Sequence, residues 1–227
     1  AVITIVGYPK DVEEIYLGAN GILANLSAGT YTADMTTSSP SLAVRIYEEA
    51  KKRSIHALDA PVTGGDMGAR KATLNILVGG DEDAFHAMQP VFAAMGKNIL
   101  YEGGAGAGQK TKAANQIAIA GALAGACEAF AYARAAGLDA EKVFSSISGG
   151  AAASFQMSNM LRKALDGDFA PGFMIKHFVK DMTIGAETGK EYGIDLPVLE
   201  QVLCEARSLE EKGVGTEGTQ SLLKYYE

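Results

Sequence analysis

A glycine-rich crossing, Gly103-Gly104-Ala105-Gly106-Ala107-Gly108, divides this 227-residue sequence into two textures. Before it, short apolar and β-branched runs alternate with amphipathic stretches. Strand-type runs lie at 1–6, 30–35, 56–60, 74–78 and 99–101, and helical stretches at 11–17, 41–53 and 82–95. This rhythm predicts an open α/β sheet. After the crossing the strand pattern stops. Residues 109–136 read as a single helix, about 28 residues and hence about 42 Å long, and Gly137 stops it. Further helices are expected at 139–147, 154–165, 175–192, 197–212 and 219–226. The crossing therefore marks a domain boundary, with an α/β domain over 1–106 and an all-α domain, built on the long central helix, over 107–227.

That helix is lined by small residues, among them Ala113, Ala114, Ala118, Ala120, Gly121, Ala122, Ala124, Gly125, Ala126 and Ala129. Alanine alone would suit a helix, but each interior glycine costs about 1 kcal/mol against alanine. The pattern is explained better by close approach of neighbouring helices, so the rod is expected to be surrounded on most sides.

Apolar residues make up 48% and charged residues 21%, which excludes wholesale disorder. Acidic residues exceed basic ones by 27 to 20, a net charge of −7 without a basic run, which speaks against nucleic acid and anionic membrane as partners. The most apolar stretch, 113–126, is diluted by alanine and glycine and reads as a buried helix rather than a membrane span. Cys127 and Cys204 sit in helical apolar patterns and read as two buried thiols in a reducing compartment. The first residues, AVITIVGYP, carry no basic region of the kind that opens a signal peptide, so the expected location is the cytoplasm.

Four segments could carry chemistry. In GAGQKTKAANQ, Lys112, Asn115 and Gln116 fall three and four residues apart and share one helix face, while Lys110 points elsewhere. A lysine near a helix amino end, partly buried, has its pKa pushed down and becomes a competent acid and base near neutrality. The competing account is a solvated first-turn lysine. In Asp59-Ala60-Pro61-Val62-Thr63-Gly64-Gly65 a strand runs into a turn whose N–H and O–H donors could hold a carboxylate, or which simply ends the strand. In Asp34-Met35-Thr36-Thr37-Ser38-Ser39-Pro40 hydroxyl residues lie at a strand end, where open sheets bind ligands, and the same residues can cap the helix after Pro40. Lys180-Asp181 reads by itself as an exposed ion pair. His56, His86 and His177 are scattered without metal-ligand spacing and no C-x-x-C occurs, so no metal site is expected. There is no G-x-S-x-G elbow, no Walker loop, and no G-x-G-x-x-G after a strand.

Taken together, these segments resemble the β-hydroxyacid dehydrogenase family, which includes 3-hydroxyisobutyrate dehydrogenase and tartronate semialdehyde reductase. The 34–40 segment is similar to the family's D-x-S-T-x-x-P and Asp59 to Gly65 to its DAPVSGG, with Thr63 for the usual serine. Gly106-Ala107-Gly108-Gln109 through Lys112 to Asn115-Gln116 resembles GxGxxxKxxNN, and Pro171-Gly172-Phe173 followed by Lys180-Asp181 resembles PGF…KDL. The four occur in family order along the whole chain.

The resemblance implies an oxidoreductase that moves hydride between NAD or NADP and a small β-hydroxy acid or its semialdehyde. It implies Lys112 as the acid/base, Thr63, Gly64 and Gly65 as holders of the substrate carboxylate, and Asn115 and Gln116 as orienting groups. Gly7, Tyr8, Thr37 and Lys180 would approach the cofactor, and the assembly would be a homo-oligomer, dimer or tetramer. Gln116 departs from the commoner second asparagine toward the tartronate semialdehyde reductase pattern, and Gly7-Tyr8 departs from a Leu-Pro type pair. The resemblance implies a Rossmann-type sheet, but the family's opening βαβ unit with its pyrophosphate turn is missing from the sequence, which makes that sheet a partial one and predicts little cofactor binding by these 227 residues alone. Imine reduction, a Schiff-base lysine and a non-catalytic fragment or assembly module stand as the other readings.

Overall fold

In the computed structural model, which describes all 227 residues, the alternating half of the sequence forms a six-stranded mixed sheet. Its first strands follow a β-α-β-α-β path: β1 (Val2–Thr4), α1 (Pro9–Leu17), a short helix α2 (Ile22–Asn25), β2 (Tyr31–Asp34), α3 (Pro40–Lys51) and β3 (His56–Asp59). The three strands are parallel, and the register sets Thr4 beside Asp34 and Asp34 beside Asp59 at their carboxyl ends. After Pro61 come β4 (Val62–Thr63), α4 (Gly65–Arg70) and β5 (Leu74–Gly79), with β5 antiparallel to both β3 and β4. The helix α5 (Glu82–Phe92) then leads to β6 (Gly96–Gly103), parallel to β5.

The helices form where the apolar spacing places them. Leu42, Ile46 and Ala50 recur every four residues along α3 and pack with Val12 and Tyr16 of α1. On α5, Phe85, Met88 and Phe92 meet Ile76 and Val78 of β5. Each large side chain so buried contributes about 1.5–3 kcal/mol. Pro9 and Pro40 open α1 and α3, and the Ser39 hydroxyl caps the latter by accepting from the Leu42 amide at 3.4 Å. Three short elements, α2, β4 and α4, have no counterpart in the sequence reading, because runs of two to six residues carry too little periodicity to declare themselves.

The chain forms two compact units, Ala1–Ala114 and Asn115–Glu227. The long helix, α6 (Ala107–Ala135), begins in the first and continues into the second. It is followed by α7 (Ala140–Ile147), a π-helical turn (Gln156–Leu161) running into α8 (Arg162–Leu165), α9 (Ile175–Glu191), α10 (Pro197–Leu209), a second π turn (Glu210–Val214) and a 3-10 turn (Thr219–Tyr225). The second unit's core gathers Leu123, Cys127 and Phe130 of α6 with Phe178 and Met182 of α9, Leu199 and Leu203 of α10, and Leu222.

The rod is not enclosed on every side. Ala114, Ala118, Gly125, Glu128 and Tyr132 form an exposed stripe along α6. A Cβ at Gly125 would meet nothing within 4 Å, and one at Gly121 only Val198 at an ordinary 3.6 Å, so neither glycine serves a close approach within this chain. By length and composition α6 is apolar enough to cross a membrane, a test that the core helix of a folded domain also passes, and 44% of its apolar window is buried inside the protein.

The two cysteines part company. Cys127 is buried, and burial pushes its thiol up to about 12, whereas Cys204 is exposed on α10. Cys204 thus corrects the expectation of two buried thiols: its position on the helix lies outside the apolar stripe of Leu199, Val202, Leu203 and Ala206. A thiol reagent such as Ellman's should therefore modify one cysteine, Cys204, in the native protein and two after denaturation. Equal reaction of both in the native state would contradict this packing.

Candidate active site

The placement of Lys112 starts from a carboxylate in the sheet. Asp59, the last residue of β3, accepts the Gly106 amide at 2.7 Å on Oδ1 and the Gln109 amide at 2.8 Å on Oδ2. Those are amide donors at the start of α6, which has no earlier helical turn to satisfy them. Close approach makes this possible: a Cβ on Gly108 would collide with the carbonyl oxygens of Leu77 and Asp59. Burial pushes the Asp59 carboxyl above its ordinary value, opposed by the amides of Gly106 and Gln109. The Gln109 side chain makes a second tie, its Oε1 accepting the Ser38 amide at 2.9 Å and its Nε2 donating to the Thr36 carbonyl at 2.7 Å. Lys112 follows one turn later and is only 6% exposed, while Lys110 lies at the surface. The solvated first-turn account of Lys112 does not fit that burial.

The Asp59–Gly65 segment is a strand, a turn and a helix start rather than a simple turn. Thr63 pairs with Asn75 across β4 and β5 and is half-buried. Gly64, at φ 130°, and Gly65, at φ 63°, occupy conformations that suit glycine, and both are exposed. At the next strand end, Asp34 accepts from the Thr4 hydroxyl and the Thr36 amide, both at 3.1 Å, and burial pushes its carboxyl up. The Thr36 hydroxyl in turn accepts the Val6 amide at 2.9 Å, joining the loops after β1 and β2. Gly7, Tyr8 and Thr37 on those loops are half-buried. The Tyr8 amide donates to the Asp11 carboxylate at 3.0 Å where α1 starts.

In the second unit, Gln116 is 2% exposed and donates through Nε2 to Asp181 Oδ2 at 2.7 Å, while its Oε1 accepts from Asn115 Nδ2 at 2.7 Å. Lys180 Nζ lies 3.0 Å from the other Asp181 oxygen, with side-chain exposures of 11% and 2%. The pair read as exposed is therefore buried. The sequence reading gave no role to Asp59, Gln109 or Asp181. Their signal was polarity inside apolar surroundings: Asp59 closes a strand, Gln109 opens an alanine-rich helix, and Asp181 falls in the buried stripe of α9 with Phe178, Met182 and Gly185.

Residues after the carboxyl ends of parallel strands are where an open sheet holds a nucleotide. Here these are Val6 to Tyr8 and Thr36 to Ser39, and among them the Ser38 hydroxyl is buried without a hydrogen-bond partner. With that unpartnered hydroxyl, the two loops fit a part of a nucleotide cofactor. A G-x-G-x-x-G spacing does occur, Gly213-Val214-Gly215-Thr216-Glu217-Gly218, but it follows α10 rather than a strand, the wrong setting for a pyrophosphate turn.

Comparison with known proteins adds a second line. Residues 1–103 match the NAD binding domain of 6-phosphogluconate dehydrogenase, and residues 106–226 the NAD-binding domain of NADP-dependent 3-hydroxyisobutyrate dehydrogenase. The chain is 50% identical over 225 residues to the uncharacterized oxidoreductase YkwC of Bacillus subtilis (strain 168), covering 99% of this chain and 78% of that protein. It is 43% identical over 223 residues to a probable mitochondrial 3-hydroxyisobutyrate dehydrogenase-like protein of Arabidopsis thaliana, covering 98% of this chain and 66% of the relative. Among solved structures, Mycobacterium tuberculosis 3-hydroxyisobutyrate dehydrogenase with L-serine superposes with a TM-score of 0.90 at 27% identity, covering 98% of this chain and 78% of that one.

The Asp59 tie has a measurable consequence. Asp59→Ala strands the Gly106 and Gln109 amides in a buried place and should lower unfolding stability by about 2–3 kcal/mol, read by urea or thermal denaturation. A loss under about 0.5 kcal/mol, the scale of an ordinary surface change, would contradict the role given to this carboxylate.

Proposed function

The chain belongs to the β-hydroxyacid dehydrogenase family of NAD(P)-dependent oxidoreductases, and on that premise we propose that it interconverts a small 3-hydroxy acid and its semialdehyde, with Lys112 as proton donor and acceptor. The observation that carries this reading is the burial of Lys112, 6% exposed on the second turn of a helix whose start is tied to the sheet. Lysine is almost never so enclosed unless it is paired, and an enclosed lysine beside strand ends is a functional candidate. When bound, the nicotinamide supplies the hydride acceptor in oxidation and the hydride donor in reduction. In oxidation Lys112 Nζ takes the hydroxyl proton as the carbon gives up its hydride; in reduction it returns a proton to the carbonyl oxygen.

The other residues divide the remaining work. Thr63, Gly64 and Gly65 hold the substrate carboxylate through hydroxyl and backbone N–H donors. Asn115 and Gln116, one turn beyond Lys112 on α6, orient the substrate. Gly7, Tyr8, Thr37 and Lys180 approach the cofactor, NAD or NADP. The exposed stripe of Ala114, Ala118 and Gly125 supports a homo-oligomer, dimer or tetramer, since glycine there serves no contact within one chain.

The test is turnover of the full-length protein on a panel of small 3-hydroxy acids, followed as reduced nicotinamide. Lys112→Ala should lower kcat by about 10²–10⁴-fold, the usual worth of a positioned acid/base, with a much smaller change in KM. Borohydride added with the carbonyl substrate should leave no adduct on Lys112. Undiminished turnover in Lys112→Ala would overturn the assignment, and a trapped adduct would replace it with Schiff-base chemistry.

A further inference from the structure

We propose that Thr36 is a positioning residue for the nicotinamide cofactor, its hydroxyl setting the spacing between the two loops that receive it, Val6 to Tyr8 and Thr36 to Ser39. The inference rests on the placement of Gly7, Tyr8 and Thr37 at the cofactor proposed above.

The pairing of β1 with β2 ends where the Met35 amide donates to the Thr4 carbonyl at 2.8 Å. A continued parallel ladder would next offer the Val6 amide a main-chain carbonyl of the neighbouring strand. The Val6 amide donates instead to Thr36 Oγ1 at 2.9 Å. Beyond the ladder the two main chains therefore part with a side chain between them, and a hydrogen bond still ties them. That tie has a set length, which two free loops would lack.

Thr36 can serve as the post because it is itself held. Its amide donates to Asp34 Oδ1 at 3.1 Å, and the Gln109 side chain donates to its carbonyl at 2.7 Å. The same Asp34 oxygen takes the Thr4 hydroxyl at 3.1 Å. Thr4 has its one hydroxyl proton committed there, so in the 2.9 Å contact between Thr4 Oγ1 and the Tyr16 hydroxyl the donor is Tyr16. Tyr16 in turn receives the Thr32 hydroxyl at 2.8 Å. The hydroxyls thus run in one direction, from Thr32 on β2 through Tyr16 of α1 and Thr4 of β1 to the carboxyl group beneath the loop. Thr32, Tyr16 and Thr36 are all buried, where water does not compete for these bonds.

Each loop is also pinned on its far side, the Tyr8 amide by Asp11 at 3.0 Å and the Ser38 amide by Gln109 Oε1 at 2.9 Å. Gly7, Tyr8 and Thr37 lie half-buried among these supports. Loops fixed before a ligand arrives spare it the cost of ordering them. The enclosed Thr36 hydroxyl acts through the loops and touches no reacting atom itself.

Binding of NADH and of NADPH to the full-length protein, followed by nicotinamide fluorescence, supplies the test, with the tighter of the two as probe. Thr36→Val keeps the shape of the side chain without its oxygen and should raise the dissociation constant about tenfold, the scale of one hydrogen bond. Thr36→Ala, which fits any space the threonine fills, should do the same. Thr36→Ser keeps the hydroxyl and should bind like the native protein. In turnover the KM for cofactor should rise with kcat little changed, whereas a merely structural defect lowers the active fraction and so the apparent kcat. Without cofactor, hydrogen exchange read by mass spectrometry should quicken in the segment holding Val6 for Thr36→Val and not for Thr36→Ser. Native affinity in a folded Thr36→Val or Thr36→Ala protein, equal loss in Thr36→Ser, or unchanged exchange at Val6 would overturn the proposal. With Lys112→Ala inactive, any of these sinks the spacing role and leaves proton transfer standing. A full-length protein that binds neither NADH nor NADPH would overturn the cofactor reading and this inference together.

Discussion

A carboxylate at the end of β3 takes backbone N–H groups from the start of α6, and the placement of Lys112 follows from it. The Asp59 bonds to Gly106 and Gln109 fix where the first turn lies, and the side chain of Gln109 locks the turn to the loop carrying Thr36 and Ser38. With the first turn held at two points, the helix can neither rotate nor slide without breaking buried hydrogen bonds. Lys112 one turn on, and Asn115 and Gln116 after it, inherit their directions from 3.6-residue geometry. A loop could carry the same residues, but its backbone would move with the solvent around it.

Glycine is part of this device in a way its usual role as a turn former does not convey. Gly79 and Gly108 are small so that β5, Asp59 and the helix start can meet: a Cβ at Gly79 would stand 2.6 Å from Asp59 Oδ1 and 2.8 Å from the Gly108 amide. The glycines of the Asp59–Gly65 segment differ, since at Gly64 and Gly65 it is the backbone angle that matters. Within the crossing at 103–108, Gly108 thus reflects the packing around one carboxylate and Gly106 the close approach of Pro40, while a Cβ at Gly104 would meet nothing within 4 Å.

Much of this was legible beforehand, and the omissions have a common cause. Periodicity and turn residues located the long elements, because those signals are local. The exposed stripe on α6 and the exposure of Cys204 were missed, because small residues and cysteine fit a helix equally well inside or outside. The motif around Lys112 could be read from spacing, and so could the lysine's separation from Lys110. What spacing could not give was the partner of Asp59, 47 and 50 residues away, or that of Gln116, 65 residues away. Asp181 next to Lys180 looked like a surface pair because neighbours of opposite charge usually are. Only the folding of α9 against α6 shows that both are enclosed.

Asp59 and Asp181 are both buried and both act on α6, but on different parts of it. Taking a carboxylate out of water is unfavourable, and an apolar pair of similar shape would often serve stability as well or better. Stability alone therefore does not explain either residue. What an apolar pair cannot do is distinguish a donor from an acceptor. Asp59 applies that distinction to the main chain, selecting the amide end of a helix and so its direction. Asp181 applies it to a side chain, selecting which end of an amide faces the ion pair. Hydrophobic contacts fix where α6 lies; the two carboxylates fix which way its polar groups point.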